Sequence, residues 1–139
     1  MKHSLKLLLI FIMFSSACTA EKKGNSAEQD TSKAIAENID ANAFEKGIKS
    51  ADIQLLDVRT SDEYAKGHIK GAKMIDFYGD DFKEGLKSLD KEKAVYVYCR
   101  SGGRSGQAMK DMHGMGFKAV YNLKGGIMSW SASKKEIVR

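Results

Sequence analysis

The chain has 139 residues, enough for one domain with a single continuous core. Hydrophobic residues make up 42% of it and charged residues 29%, a balance that excludes a disordered or fibrous chain. The formal net charge is +5, but the lysines are scattered along the sequence. Nucleic-acid-binding proteins cluster their basic residues, so no nucleic-acid partner is predicted.

The first seventeen residues have the pattern of an export signal. Lys2 and Lys6 precede an unbroken apolar run over residues 7–14, and three small residues follow it. The run is far shorter than the ~20 apolar residues that a permanent transmembrane helix needs. Residues 1–17 are therefore predicted to be a signal peptide.

Cys18 directly follows the small residues, and this arrangement resembles the lipobox of bacterial lipoproteins, whose cysteine is acylated and becomes the first mature residue. The resemblance implies an exported protein of the bacterial cell envelope, lipid-anchored on the outer side of the inner membrane or on the outer membrane. Two alternatives stay open: an ordinary secretory signal, and a disulfide between Cys18 and Cys99. Residues 18–32 lack aromatic and large aliphatic side chains, so they are predicted to form a flexible tether to a folded domain over residues 33–139.

Strand-like and helix-like segments alternate from residue 33 onward. The predicted strands are residues 35–39, 53–58, 73–75, 94–98 and 119–122. The predicted helices are residues 40–48, 60–67, 81–89 and 104–115, and a final turn carries Trp130. Near-continuous apolar strands separated by helices predict an α/β fold with a mainly parallel sheet and helices on both faces.

The segment after the fourth predicted strand combines a cysteine, two glycines and two arginines. Cys99 lies where a strand gives way to a helix, and the free N–H groups and positive dipole of a first helical turn favour a thiolate there. Gly102 and Gly103 allow successive N–H groups to face one point, which makes a nest for an anion. Arg100 and Arg104 add permanent charges with a planar fork that suits an oxyanion such as sulfonate or phosphate. These features predict that Cys99 is a nucleophile.

A third arginine is predicted to lie near the same pocket. The chain has nineteen lysines but only four arginines, and Arg59 ends the second predicted strand. Since parallel strands end at one edge of a sheet, Arg59 is expected to face the cysteine pocket. The Met residues at helical spacing in the helix that follows the cysteine are predicted to be core, and no metal and no cofactor are predicted.

Three segments together resemble single-domain rhodaneses, a sulfurtransferase family: LLDVRTSDEYAKGHIKGAKMID, VYVYCRSGGRSGQAMKDMHGMGF and VYNLKGGIMSW. The resemblance implies a five-stranded, mostly parallel sheet and a cysteine that carries sulfane sulfur as a persulfide. It also implies a small sulfur-containing anion such as thiosulfate as the donor, and a thiol or cyanide as the acceptor.

The same resemblance assigns roles to individual residues. Cys99 is the nucleophile, Arg59 helps to hold the loop or the donor anion, and Asp57 ties loops together. His68 is a hydrogen-bonding turn residue, and Trp130 belongs to the core. The loop whose amides surround the outer sulfur comprises Arg100, Ser101, Gly102, Gly103 and Arg104.

Two other functions stay open from the sequence. Cysteine-dependent phosphatases also use a cysteine, an amide cradle and an arginine, some of them on the same fold. Four residues separate Cys99 from Arg104, one fewer than in phosphatase signatures, and a shorter loop leaves less room for a phosphoryl group. The second alternative is a non-catalytic module that only binds a partner or carries sulfur, against which the intact cysteine argues.

Overall fold

The computed structural model describes residues 33–139. The predicted signal peptide, Cys18 and the predicted tether lie outside the described residues. Within residues 33–139, no helix is both long enough and apolar enough to cross a membrane.

Five strands form one sheet. They are β1 (Ile35–Ile39), β2 (Ile53–Asp57), β3 (Lys73–Met74), β4 (Ala94–Tyr98) and β5 (Ala119–Leu123). Their order is β1-β5-β4-β2-β3, and every pair of neighbours in this sheet is parallel. The predicted α/β class is confirmed, and β4, which leads into Cys99, lies at the centre of the sheet.

Five helices connect and cover the strands. They are α1 (Ala41–Ile48), α2 (Ser61–Ala65), α3 (Phe82–Lys87), α4 (Gly103–Gly114) and α5 (Gly126–Ala132). Asp40 caps α1 by accepting hydrogen bonds from two backbone N–H groups, and Thr60 and Glu63 form the predicted capping box of α2. The last segment was predicted as a turn and is a helix of seven residues, which begins at the second of two consecutive glycines and has no side-chain cap to signal it.

The core consists of two clusters of buried side chains, which the sheet separates. One cluster packs α3 and α4 against the sheet and includes Met109 and Met112, so the predicted core role of the Met residues is confirmed. The other packs α1 and α5 and includes Phe44 and Trp130. The Trp130 indole N–H donates to the Glu136 carbonyl at 2.8 Å, which fixes the ring inside the fold. With both faces covered, the carboxyl ends of the parallel strands form the open edge where side chains can meet a ligand.

Candidate active site

The Cys99 thiol lies at the carboxyl end of β4 and is 1% exposed. Its Sγ accepts a hydrogen bond from the Gly102 N–H at 3.1 Å and another from the Ser105 hydroxyl at 3.3 Å. Ser105 is fully buried in the first turn of α4. The sulfur is therefore held from two directions by donors, an arrangement that suits a thiolate better than a neutral thiol.

The loop lowers the pKa of Cys99. Burial raises the pKa of the thiol, but hydrogen bonds from the Ser105 hydroxyl and from the backbone N–H groups of Ser105, Gly102 and Ser101 outweigh it. Donors that bind the charged form favour that form, so the pKa lies below its ordinary value. The thiolate is thus favoured by local hydrogen bonds.

The N–H groups of the loop can face the sulfur because its carbonyls are bound on the other side. The Ile127 N–H donates to the Cys99 carbonyl at 2.8 Å, and the Met128 N–H donates to the Arg100 carbonyl at 3.2 Å. The Gly102 carbonyl accepts from the Asn122 side-chain amide at 3.2 Å. Gly102 itself has φ of +96°, a conformation that favours glycine.

Gly126 makes the contact between α5 and the loop possible. A Cβ at this position would lie 2.4 Å from the Arg100 carbonyl oxygen, and the residue has φ of +59°. Only glycine allows α5 to approach the two loop carbonyls so closely. The contact of Gly126 with the cysteine loop was not predicted from the sequence.

The Arg104 guanidinium forms a bidentate ion pair with Glu63. Its two terminal nitrogens donate to the two carboxylate oxygens of Glu63 at 2.8 and 2.7 Å, so the fork expected to bind the donor anion is paired with Glu63. Hydrogen bonds from Arg104 are the main reason that the pKa of Glu63 falls to about 2. The pair leaves little net charge at this end of the loop.

Arg59 and Asp57 form a second ion pair, and both residues are buried. Arg59 Nη2 lies 2.7 Å from an Asp57 carboxylate oxygen, and the same nitrogen donates to the Gly67 carbonyl at 2.8 Å. Asp57 also accepts the Arg59 backbone N–H. Asp57 therefore fixes Arg59, and Arg59 ties the end of β2 to the chain after α2. Because its charge is neutralised within the pair, Arg59 does not present a free cation to an anion.

His68 and Ser101 occupy supporting positions. The His68 ring stacks on Tyr64 at 3.7 Å between centroids, and its Nδ1 lies 3.2 Å from the Tyr64 carbonyl oxygen. These contacts match the turn role that was expected. The Ser101 side chain is exposed, so its part in the loop is its backbone N–H. Gly103 opens α4 and has no neighbour that a Cβ would meet.

A cavity of about 740 Å³ borders the loop. The residues that line it are Arg59, Glu63, Lys66, Arg100, Ile127, Met128 and Ser131. Arg100 lies on the rim of this cavity with an exposed side chain, so of the three predicted arginines it is the one whose charge faces solvent.

Besides Gly126, three residues that hold the cysteine loop were not predicted as part of the site: Ser105, Glu63 and Asn122. Ser105 could have been found from its place in the first turn after the cysteine loop, where a hydroxyl can reach the sulfur. Asn122 is a buried polar residue in an otherwise apolar strand, which is itself a signal of a specific hydrogen bond. Glu63 was assigned to the capping box alone, and nothing in the sequence indicated its partner 41 residues away.

Comparison with known proteins identifies the family. The chain is 35% identical over 101 residues to the uncharacterized protein YqhL of Bacillus subtilis, covering 73% of this chain and 77% of YqhL. It is 38% identical over 85 residues to the thiosulfate sulfurtransferase GlpE of Coxiella burnetii, covering 61% and 78% of the two chains. The crystal structure of a rhodanese-related protein from Thermoplasma volcanium superposes with a TM-score of 0.65 at 29% identity, covering 73% of this chain and 97% of that one. Residues 40–133 match the rhodanese-like domain family, and the chain therefore belongs to it.

Proposed function

We propose that this protein is a sulfurtransferase that moves sulfane sulfur from a donor such as thiosulfate to a thiophilic acceptor through a persulfide on Cys99. The observation that carries the proposal is the arrangement around the Cys99 sulfur, where the Gly102 N–H and the Ser105 hydroxyl both donate to Sγ. Relatives at 36% and 38% identity carry the name sulfurtransferase, which supports the same reading.

In the first step, the Cys99 thiolate attacks the outer sulfur of thiosulfate. A bond forms between Sγ and that sulfur, and the sulfur–sulfur bond of thiosulfate breaks with its electron pair leaving on sulfite. The inward-facing N–H groups of the loop then have the terminal sulfur of the persulfide as an acceptor. They stabilise its negative charge as they stabilise the thiolate.

In the second step, cyanide or a thiolate attacks the terminal sulfur of the persulfide. The bond between the two sulfurs breaks, its electron pair returns to Sγ, and the acceptor leaves as thiocyanate or as a persulfide. Because the enzyme alternates between two covalent states, ping-pong kinetics are expected.

The phosphatase alternative has less support. In phosphoryl transfer, an arginine fork would have to face the phosphoryl oxygens, and the Arg104 fork is bound to Glu63 through both terminal nitrogens. The short loop adds to this argument, since Cys99 and Arg104 are separated by four residues.

The test is mass spectrometry of the full-length protein, solubilised in detergent and treated with thiosulfate. The peptide that contains Cys99 should gain the mass of one sulfur atom, and the reaction should release one sulfite from thiosulfate for each sulfur gained. The added mass should disappear when cyanide is supplied. Cys99→Ser should abolish all three signals. Sulfur found on another residue, full activity in Cys99→Ser, or faster turnover of an aryl phosphate than of thiosulfate would overturn the proposal.

We also propose that acylated Cys18 anchors the protein in the bacterial cell envelope, either on the outer side of the inner membrane or on the outer membrane. The support is the order of basic residues, apolar run and small residues before Cys18. The domain that carries Cys99 would then be tethered to the membrane. Cys99 is buried and forms no disulfide with another described residue.

A further inference from the structure

Asn122 is a buried polar residue in the otherwise apolar strand β5. The residue is 2% exposed, and its side-chain nitrogen makes two hydrogen bonds. Nδ2 donates to Asn38 Oδ1 at 2.7 Å and to the Gly102 carbonyl at 3.2 Å. Asn122 Oδ1 accepts no hydrogen bond from any residue that the structure describes. A buried acceptor without a partner lowers the stability of a fold, so an asparagine at this position has a role other than stabilising the sheet.

The helix that packs on Asn122 also departs from its own local preference. Gly106 lies inside α4, where alanine would be the better helix former. A Cβ on Gly106 would lie 3.3 Å from Asn122 Nδ2, which is closer than an ordinary van der Waals contact. An unfavourable glycine in the helix and an unfavourable asparagine in the strand therefore meet at one contact. The Gly106 N–H donates to the Gly102 carbonyl at 2.9 Å, so this contact adjoins the cysteine loop.

The Asn122 hydrogen bond restrains a glycine that holds the sulfur. Gly102 has φ of +96° and no side chain, so its backbone has wide conformational freedom. Its N–H donates to Cys99 Sγ at 3.1 Å, and its carbonyl accepts from Asn122. Holding the carbonyl restrains the Gly102 backbone and with it the N–H that is bound to the sulfur.

Asn38 fixes the direction of the Asn122 amide. Asn38 is exposed in β1, the edge strand, and lies directly beside Asn122 in the parallel register. A carbonyl only accepts hydrogen bonds, so the nitrogen of Asn122 has to face Gly102, and the Asn38 oxygen binds that same nitrogen. A chain of hydrogen bonds thus leads from the edge strand through Asn122 and Gly102 to the Cys99 sulfur.

We propose that Asn122 is a positioning residue for sulfur transfer, present for the cysteine loop and not for the stability of the fold. It acts through Gly102 on the sulfur of Cys99, and Asn38 acts through Asn122. The inference rests on the proposed function, since it takes Cys99 as the nucleophile.

The test measures the reactivity of Cys99 and the stability of the fold in the same variants. Full-length protein in detergent is alkylated with iodoacetamide at a series of pH values, and the modified Cys99 peptide is quantified by mass spectrometry. Urea unfolding is followed by the fluorescence of Trp130, the single tryptophan of the chain. The variants are Asn122→Leu, Asn38→Leu and Asn38→Asp. Asn42→Leu is the matched control, because Asn42 is exposed in α1.

Leucine has nearly the shape of asparagine but cannot donate a hydrogen bond. Asn122→Leu should lower the alkylation rate constant near neutral pH by about two- to tenfold, the range of one lost hydrogen bond, and move the pH profile to higher pH. Sulfite release from thiosulfate should slow by a similar factor. The urea midpoint should be equal to or higher than that of the wild type, because the Gly102 carbonyl keeps the Gly106 N–H and the exposed Asn38 side chain is open to solvent.

Asn38→Leu should shift the alkylation profile in the same direction by a smaller amount. Asn38→Asp keeps an acceptor for the Asn122 nitrogen and should retain the wild-type profile, as should Asn42→Leu. An unchanged profile in Asn122→Leu would overturn the proposal, and so would a urea midpoint below that of the wild type, with failure to fold as its extreme. Equal profiles for the two Asn38 variants would overturn the part assigned to Asn38. Alkylation needs no sulfur donor, so a wild type that forms no persulfide would overturn the proposed function separately.

Discussion

Arg104 and Glu63 form a bidentate ion pair that joins the first turn of α4 to the first turn of α2, with nitrogen–oxygen distances of 2.8 and 2.7 Å. Glu63 Oε2 also accepts the Thr60 N–H at 3.1 Å, which completes the capping box of α2. One carboxylate therefore fixes both the end of the cysteine loop and the start of a neighbouring helix. The Arg104 guanidinium also lies 5.5 Å from the centre of the Tyr78 ring.

Glu63→Gln should change how stability depends on pH. The Arg104 hydrogen bonds lower the pKa of Glu63 from 4.5 to about 2, so the stabilisation is complete above pH 4.5 and is lost as the pH falls toward 2. Across this range the free energy of unfolding of the wild type should fall by about 1–2 kcal/mol more than that of the variant. This difference is smaller than the whole pKa shift implies, because the ion pair is partly open to solvent. Urea unfolding at a series of pH values measures the difference. Glu84→Gln, which removes a carboxylate from an exposed pair with Lys87, is the control, and equal pH dependence of the two variants would contradict the prediction.

Arg104→Lys should slow persulfide formation although the charge is kept. Lysine cannot donate two parallel hydrogen bonds to Glu63, so the end of the cysteine loop is held less firmly. Loss of one charge-assisted hydrogen bond costs about 1.5 kcal/mol. If this whole energy is lost from the transition state, the rate of persulfide formation falls about tenfold. Stopped-flow measurement of sulfite release gives the rate, and Arg139→Lys makes the same exchange outside the loop. If Arg104→Lys forms the persulfide as fast as the control, the two parallel hydrogen bonds from Arg104 to Glu63 do not contribute to the rate.

The parts of the fold that the sequence predicts are those with local physical causes. The Asp40 cap and the capping box of Thr60 and Glu63 are each decided within four residues, and each is present in the structure. The apolar strand before Cys99 predicts a buried central strand because burial on both faces leaves no room for alternating polar residues. The position of Cys99 at the sheet edge follows from that strand.

The parts that were missed are contacts between segments far apart in the chain. Glu63 and Arg104 are 41 residues apart. The contact of α5 with the loop depends on a close approach at Gly126, and the presence of a glycine in the sequence does not specify which segment approaches it. Arg59 lies two residues beyond the end of β2, close to the sheet edge where it was expected, but its burial determines which residue it pairs with. A buried guanidinium needs a carboxylate, and Asp57 is the one within reach.

Ser105→Ala should raise the pKa of Cys99. Burial already raises the pKa of this thiol, and the Ser105 hydroxyl is the first of the hydrogen bonds that bring it below its ordinary value. Removing one hydrogen bond worth about 1 kcal/mol should lower the rate of alkylation near neutral pH by about fivefold and move the pH profile to higher pH. Ser101→Ala is the matched control, because Ser101 contributes its backbone N–H and its side chain is exposed. If the two variants have the same alkylation profile, the hydroxyl has no such role.

Cys18→Ser should release the protein from the membrane or block its maturation. A single acyl chain binds a membrane only marginally, so stable anchoring needs the two or three chains of a mature lipoprotein, and all of them are lost with this cysteine. Detergent phase partitioning of cell fractions measures the change. Wild-type protein that is wholly soluble with a free Cys18 thiol would contradict the anchor, and a disulfide between Cys18 and Cys99 would appear as a shift on a non-reducing gel.

Gly126→Ala should damage both stability and the cysteine loop. The new Cβ would lie 2.4 Å from the Arg100 carbonyl oxygen and 2.5 Å from the Cys99 carbonyl oxygen, both of them backbone atoms that cannot move aside cheaply. The positive φ of +59° adds strain for any residue other than glycine. Together these effects should cost about 3 kcal/mol or more, with loss of persulfide formation in the molecules that still fold, since the carbonyls would no longer be held away from the sulfur.

Gly114→Ala is the matched control for that substitution. Gly114 ends α4, and a Cβ there meets nothing within 4 Å. Alanine is the better helix former, so this variant should be more stable than the wild type by up to about 1 kcal/mol and should form the persulfide at the wild-type rate. Thermal unfolding and sulfite release are measured on both variants. If Gly126→Ala behaves like Gly114→Ala, α5 does not orient the loop, and the inward direction of the N–H groups at Cys99 must have another cause.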